Sequence, residues 1–282
     1  MKTLFAAFAL IMALTITACQ KTYTAFSQNN GTDTTARTNG MDTIIPPPVS
    51  GPLLTRVISY WKDNSFSPEG PAQITDFTYD KAGFLIREAI HGQPATLYKR
   101  DAKERLIAMD HEGWSAYTHV HYISENSSQI AYALLSKDSV TKPDSMTFAY
   151  LNGRVAVIKN YVPDGGTMRL EWYQTTEYDA RGNVTQWQWY INNQYNSGCD
   201  YEYDDKINPN YQKDDLRVYY GGAYVVSPNN VVKQNNHYPK PQDNSDYLTY
   251  TYIYNAKGKP ESSLLAGTTM GTQTERLVYY YQ

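Results

Sequence analysis

The sequence predicts an all-β fold: an antiparallel sheet of consecutive Tyr-Asp hairpins, open or rolled into a barrel-like shape, in a single domain. Three observations predict it. Tyrosine is in large excess, 27 residues against 7 Phe and 5 Trp, and Tyr suits half-buried pleated surfaces. Apolar and polar residues alternate, and no long stretch keeps the i, i+3, i+4 apolar spacing of a helix. A short turn motif also recurs along the chain.

The N-terminal element comes first. Met1 to Ala18 has one basic residue, Lys2, then an unbroken apolar run from Leu4 to Leu14. That run is too short to span a bilayer as a helix and fits the h-region of a secretory signal. It ends in Ile16-Thr17-Ala18-Cys19, which resembles the lipobox of bacterial lipoproteins. The resemblance implies removal of residues 1–18 and lipid on Cys19. The competing reading is an ordinary signal peptide cut after Ala18. The only other cysteine is Cys199, so no disulfide is expected despite the exported context, and Cys199 reads as a small packed residue.

Residues 19–52 form the second element, the lipidated Cys followed by a tether. Thr, Asn, Ser and Gly dominate, and Pro46-Pro47-Pro48 closes it. Such a stretch buries too little apolar surface to offset chain entropy and reads as disordered. Residues 53–282 form the third element, the β domain. In Met168–Tyr178 the alternation puts Met168, Leu170, Trp172 and Tyr178 on one face and Arg169, Glu171, Thr175 and Glu177 on the other. Trp187, Trp189 and Ile191 oppose Gln186 and Gln188 in the next strand.

Those two strands flank Tyr178-Asp179-Ala180-Arg181-Gly182-Asn183, and the same pattern returns at Tyr79–Phe84 and Tyr254–Lys259. Asp80, Asp179 and Asn255 can cap a type I turn with their side chains. Gly83, Gly182 and Gly258 can take the positive φ that closes a bulged hairpin loop. Degenerate copies stand at Tyr98–Leu106, where Glu104 replaces Gly, at Tyr150–Val155 and at Tyr201–Pro209, with an eroded one in His119–Ser128. A unit of about 25 residues, with gaps of double length, signals an array of strand pairs.

From about Ile74 to Tyr281 these motifs resemble the YD, or RHS-type, repeat of large bacterial surface and toxin-shell proteins. Together with the lipobox and tether they look more like small lipoproteins of Bacteroidota. That family has an antiparallel sheet, described as porin-like, and no firmly assigned function. The resemblance implies a cell-envelope lipoprotein held to the membrane by its N-terminal lipid, with the outer membrane favoured. No acidic run follows Cys19, which favours the periplasmic face.

Candidate chemistry is sparse. A net charge of −3 with 19% charged residues gives no basic footprint for nucleic acid. His119 and His121 share a strand face but have no identifiable third ligand, so no metal or cofactor is expected. No nucleophile elbow, His-Glu-x-x-His or phosphate loop occurs, and no catalytic residue is assigned. Trp172, Tyr173, Trp187, Trp189 and Tyr190 offer a platform on which a sugar ring could stack, against the plainer reading that they are sheet core. Tyr279-Tyr280-Tyr281 is similar to the aromatic end of barrel proteins, but polar strand faces argue against insertion. The sequence therefore points to a non-catalytic binding or structural module of the envelope, with an envelope protein or glycan as partner. A glycan-binding accessory of polysaccharide uptake and a hydrolase with an unrecognised site stay open as alternatives.

Overall fold

The computed structural model describes residues 52–62, 70, 72–113, 117–136, 143–211, 216–220, 222–239, 246–267 and 274–282. The expected signal peptide, Cys19 and all of the tether but Pro52 lie outside the described residues. The strands run in sequence order around a closed antiparallel barrel of sixteen. The first half comprises β1 (Leu54–Lys62), β2 (Gln73–Tyr79), β3 (Leu85–Ile90), β4 (Thr96–Arg100), β5 (Leu106–His111), β6 (Tyr117–Tyr122), β7 (Ile130–Ser136) and β8 (Asp144–Leu151). The second half comprises β9 (Arg154–Asp164), β10 (Thr167–Tyr178), β11 (Val184–Ile191), β12 (Gln194–Ile207), β13 (Asn229–His237), β14 (Tyr247–Tyr254), β15 (Pro260–Gly267) and β16 (Thr274–Tyr281). β1 pairs with β16 from Leu54 opposite Tyr281 to Lys62 opposite Thr274, so the open-sheet alternative falls away. Closure leaves no strand edge for a stray chain to pair with.

In a meander of this kind, connections after even strands gather at one end, with both ends of the domain. The recurring turns all lie there, and four share one wiring. At Asp179 the backbone N–H donates to Asn183 O at 2.9 Å, and Gly182 N donates back to Asp179 O at 3.0 Å. Asp179 Oδ1 then accepts the Asn183 N–H at 2.9 Å. Asp80, Asp101 and Asn255 repeat the pattern. The fourth turn residue has φ 92° at Gly182 and φ 64° at Glu104, so the Glu104 copy keeps the glycine geometry with a side chain attached. The Tyr201–Pro209 copy differs: β12 runs straight through it to Ile207, and Asp204 Oδ1 accepts from Lys206 N at 3.0 Å without closing a hairpin.

The tyrosines have a second task. At the tight-turn end, a Tyr hydroxyl from an even strand reaches back to the start of the preceding odd strand. Tyr122 donates to Leu106 O at 2.9 Å, Tyr178 to Val155 O at 3.0 Å and Tyr203 to Val184 O at 2.6 Å. Tyr252 donates to Val231 O at 3.1 Å and Tyr281 to Pro260 O at 2.8 Å. Tyr150 accepts from Ile130 N at 2.7 Å. Register shifts beside Tyr122, Tyr150, Tyr178 and Tyr203 mark bulges at which a backbone group leaves the ladder. The hydroxyls satisfy groups that would otherwise be orphaned.

The side chains pointing inward are apolar and aromatic. Leu85, Leu106, Ile130, Val155 and Val184 stand at or next to the start of successive odd strands and are almost wholly buried. The expected shared face of Met168, Leu170 and Trp172 is broken. Leu170 opposes Tyr161 while Trp172 opposes the adjacent Asn160, so one bulge turns Trp172 inward and Leu170 outward.

At Gly182 a Cβ would run into the Arg154 guanidinium. Gly182→Val should therefore cost on the order of 1–3 kcal/mol in strain plus the displacement of Arg154. At Gly258 the nearest atom is Lys206 Cδ at 3.9 Å, so Gly258→Val should cost less. Glu104→Gly should be neutral or stabilising by up to about 1 kcal/mol. Thermal denaturation of the three variants checks the ranking.

The Asp179 carboxyl gives a second expectation. Burial acts to raise its pKa, but hydrogen bonds from the Asn183 side chain and backbone, together with Arg181, outweigh it and hold the pKa below its ordinary value. A depressed folded pKa means stability present above the unfolded value of about 3.9 and lost as pH falls through the folded one. Urea melts between neutral and strongly acid pH should show a shallower acid loss for Asp179→Asn than for the wild type.

Candidate functional site

A barrel of sixteen strands is wide enough for an aqueous channel when nothing fills it. Here the connection between β12 and β13, residues 208–228, supplies part of the filling. Its described residues include two single-turn helices, α1 (Arg217–Tyr220) and α2 (Ala223–Val226). Leu216, Val218, Ala223 and Val226 join the same buried cluster as Leu106, Ile158 and Trp187 from the wall. These described residues are folded back into the lumen as a plug.

Asn208 fixes one side of the plug. Its Nδ2 donates to Tyr224 O at 2.8 Å and to Ser227 O at 2.9 Å. Ser227 Oγ accepts from Val184 N at 3.0 Å and contacts the Tyr203 hydroxyl at 2.9 Å. These bonds tie the plug to β11 and β12 beside one of the tyrosine links.

Arg217 reaches the opposite wall. Its Nη1 donates to the Tyr98 hydroxyl at 2.6 Å, and that hydroxyl donates to Glu88 Oε2 at 2.7 Å. Arg217 Nη2 lies 3.6 Å from the same carboxylate, and its guanidinium carbon sits 5.3 Å from the Tyr98 ring centroid. Burial pushes the Tyr98 phenol far above its ordinary range, although Arg217 opposes the rise, so the hydroxyl keeps its proton as the network requires. Burying a guanidinium without a partner costs several kcal/mol, and Glu88 with Tyr98 makes the burial tolerable.

Aromatic packing continues the contact. The Tyr219 ring lies 5.2 Å from Trp172 at an interplanar angle of 12°. Gln174 Nε2 donates to Val218 O at 3.4 Å. Tyr250 donates to the Tyr224 hydroxyl at 2.7 Å, and Tyr224 bonds Gln234. Gln234 Nε2 donates to Asn236 Oδ1 at 2.5 Å, which also accepts from Cys199 Sγ at 3.5 Å. Burial pushes the Cys199 thiol up to about 12, which favours the protonated, packed form.

The five rings of the expected sugar platform do not share a face. Trp172, Trp187 and Trp189 pair across the ladders with buried Asn160, Cys199 and Ser197 and point into the lumen. Tyr173 and Tyr190 point outward and stack on each other at 4.5 Å and 5°, with Tyr195 edge-on to Tyr190 at 5.5 Å. His121 stacks on Tyr132 at 4.4 Å, and among the described residues no group of three or more His, Cys, Asp or Glu could hold a metal ion. The sequence reading missed the plug and its Arg217–Tyr98–Glu88 contact. The available signal was the doubled spacing between the Asp204 and Asn255 motifs, which is longer than one hairpin needs.

With this geometry in place, solved structures of the same architecture can be compared. No family model matches the chain, and no curated protein matches its sequence. A porin-like protein from Bacteroides uniformis superposes with a TM-score of 0.56 at 11% identity, covering 81% of this chain and 96% of that one. A porin-like protein from Bacteroides vulgatus gives 0.54 at 11% identity, covering 82% and 99%. The fold is the closed antiparallel β-barrel of those porin-like proteins. The expected kinship with YD/RHS repeat lipoproteins is thereby corrected. The RHS-type match, to a TcdB2–TccC3 structure, reaches a TM-score of only 0.29 and covers 13% of that chain. Short Asp-capped hairpin turns are a local solution, and a different overall fold can use them too.

If Arg217 latches the plug, Arg217→Ala leaves Glu88 without its cation and removes the anchor. A loss of about 1–3 kcal/mol is expected, below the range for fully buried pairs because Glu88 is partly exposed. Hydrogen exchange should accelerate at 216–227 more than in β9 and β10, and uniform acceleration would mean that Arg217 supports the whole barrel instead.

Proposed function

We propose that the chain is an exported, lipid-anchored barrel that acts as a non-catalytic binding or structural module at the cell envelope, on the outer membrane, without crossing the bilayer. The observation that carries this reading is the polarity of the wall. Membrane barrels face lipid with an apolar band about 25 Å tall and enclose polar side chains. Here the buried apolar core points inward, and outward strand positions hold ion pairs. Arg56 meets Asp76 at 2.5 Å, Lys233 meets Glu202 at 2.7 Å, and Lys99 pairs with Asp110.

An Arg or Lys facing lipid at the midplane costs about 2–4 kcal/mol, and these charges are spread round the wall. Strand length argues the same way. β4 has 5 residues and β5 has 6, which at about 3.3 Å per residue is roughly 17–20 Å before tilt. The anchor reading rests on Ile16-Thr17-Ala18-Cys19, since acyl chains contribute about 0.8 kcal/mol per buried methylene. The non-catalytic reading is supported by the lumen side chains that spend their hydrogen bonds on the plug, among them Gln174, Asn208 and Tyr250. What the module binds, an envelope protein or a glycan, is set by surfaces outside that lumen.

Cys19→Ser should move the protein from the membrane fraction to the soluble one. Wild type that partitions into the aqueous phase of a detergent extraction would overturn the anchor. Planar-bilayer recordings of purified protein should show no discrete conductance steps, and a stable stepwise conductance would overturn the non-spanning reading.

A further inference from the structure

The four most exposed large apolar side chains among the described residues are Leu151 at 66%, Ile253 at 62%, Ile123 at 57% and Ile207 at 50%. All four lie at the tight-turn end. Leu151 closes β8, Ile123 opens the connection after β6, Ile207 closes β12 and Ile253 is the penultimate residue of β14. Tyr280, also exposed, is the penultimate residue of β16. The collar is interrupted by paired charges, since Arg56 lies opposite Tyr280 and Lys99 holds in β4 the penultimate place that Ile253 holds in β14, while Asp76 and Lys233 lie further along the wall. Met168 and Tyr247 are exposed at the opposite end, at 45% and 42%, and none there reaches the exposure of the four.

The chain that precedes the barrel leaves from this same end. Gln282 N donates to Leu53 O at 3.1 Å, and Lys259 Nζ donates to Pro52 O at 2.5 Å. Pro52 is thus held beside the last turn. We propose that the tight-turn end is a bilayer-docking face. The apolar collar enters the headgroup layer of the membrane that holds Cys19, and the barrel stands end-on upon it. The inference rests on the lipid-anchor reading above.

The collar suits a plane better than a second copy of the chain. Its side chains are spread round the rim, from β6 and β8 to β12 and β14, where a protein partner would be met by one contiguous patch. Each lies within about two residues of the end, which at roughly 3.3 Å per residue matches the ~5–10 Å depth of interfacial insertion. A polar tether of about 30 residues has a coil end-to-end distance of about 30 Å. It keeps the face near the surface, so docking is intramolecular and a weak contact suffices. Charge at this end is mixed: Lys103 pairs with Glu125 and Arg181 with Asp179. Apolar contact therefore sets the affinity, and salt should matter little.

The test places a fluorophore at single cysteines of the full-length protein: Leu151→Cys and Ile253→Cys at the collar, and Gln194→Cys at the opposite end. Cys199 is buried and its thiol is pushed up to about 12, so it stays unlabelled, and wild type carried through the same labelling gives the signal of Cys19 to be subtracted. Vesicles of phosphatidylethanolamine and phosphatidylglycerol carry a headgroup-level quencher, and flotation is measured in parallel. Labels at 151 and 253 should shift to shorter wavelength and be quenched several-fold more than the label at 194, with little change at high salt. Flotation with all three labels equally affected would overturn docking and leave the anchor standing. No flotation, but selective quenching at 151 and 253 at high vesicle concentration, would uphold docking and refute the anchor. No flotation and no selective quenching would refute both.

Discussion

Closure is the constraint on which the rest of the structure depends, and the tyrosine hydroxyls help to make it possible. An isolated two-stranded hairpin is marginal in water. Four of the turns after even strands close such a hairpin locally through an Asp or Asn side chain. The hydroxyl of a Tyr near the end of the next even strand then bonds the start of the odd strand before it. A hydroxyl donating to a buried carbonyl contributes about 1 kcal/mol net, and an unpaired carbonyl there would cost more. The last link runs from Tyr281 to Pro260, beside the pairing of β16 with β1 that completes the ring.

Closing sixteen strands creates a lumen too wide for aliphatic side chains alone, and that explains features that look unrelated. Large inward rings shrink the space: Trp172, Trp187 and Trp189 from β10 and β11, and Tyr201 and Tyr250 from β12 and β14. The described residues of the β12–β13 connection, Leu216, Val218, Ala223 and Val226 among them, pack into that space. A plug made of backbone must satisfy its own polar groups, so the wall presents Gln174 to Val218 O, and the plug's neighbour Asn208 serves Tyr224 O and Ser227 O. Arg217 is the costly member, and it is accommodated because Tyr98 and Glu88 stand together on adjacent strands.

Much of the architecture was legible in the residues. Period-two alternation and Tyr excess report half-buried strands directly, and Asp179 with Gly182 reports a turn whose chemistry is local. Closure was not legible, because the β1–β16 pairing joins residues more than two hundred positions apart, and no local pattern encodes it. Faces were legible only between bulges. The extra residue at Glu171 inverts the alternation, so counting from Met168 to Trp172 put side chains together that the structure separates. The plug was hidden for a related reason. Tyr201–Pro209 has the letters of the turn motif, yet β12 passes through it because Asn208 is engaged by the plug. The Arg217–Tyr98–Glu88 contact spans two distant parts of the chain and leaves no spacing signal at all.

The likeness to porin-like barrels shows how little the fold alone decides. In a strand the side-chain period is two, so moving the apolar set by one residue transfers it from one face of the wall to the other without altering a single ladder bond. A barrel with apolar residues outside suits a bilayer; the same ladder with apolar residues inside has a packed core. In this chain the inward set is Leu106, Ile130, Met146, Val155 and Ile158, all at 2% exposure or less, and the outward set includes Arg56, Lys99, Glu202 and Lys233. The most exposed of the outward apolar side chains, Leu151, Ile207 and Ile253, lie near the tight turns, ahead of Met168, Tyr247 and Leu264 elsewhere on the wall. Position along the barrel axis, as well as face, therefore carries information, and the most exposed apolar side chains fall at the end from which the N-terminal segment departs.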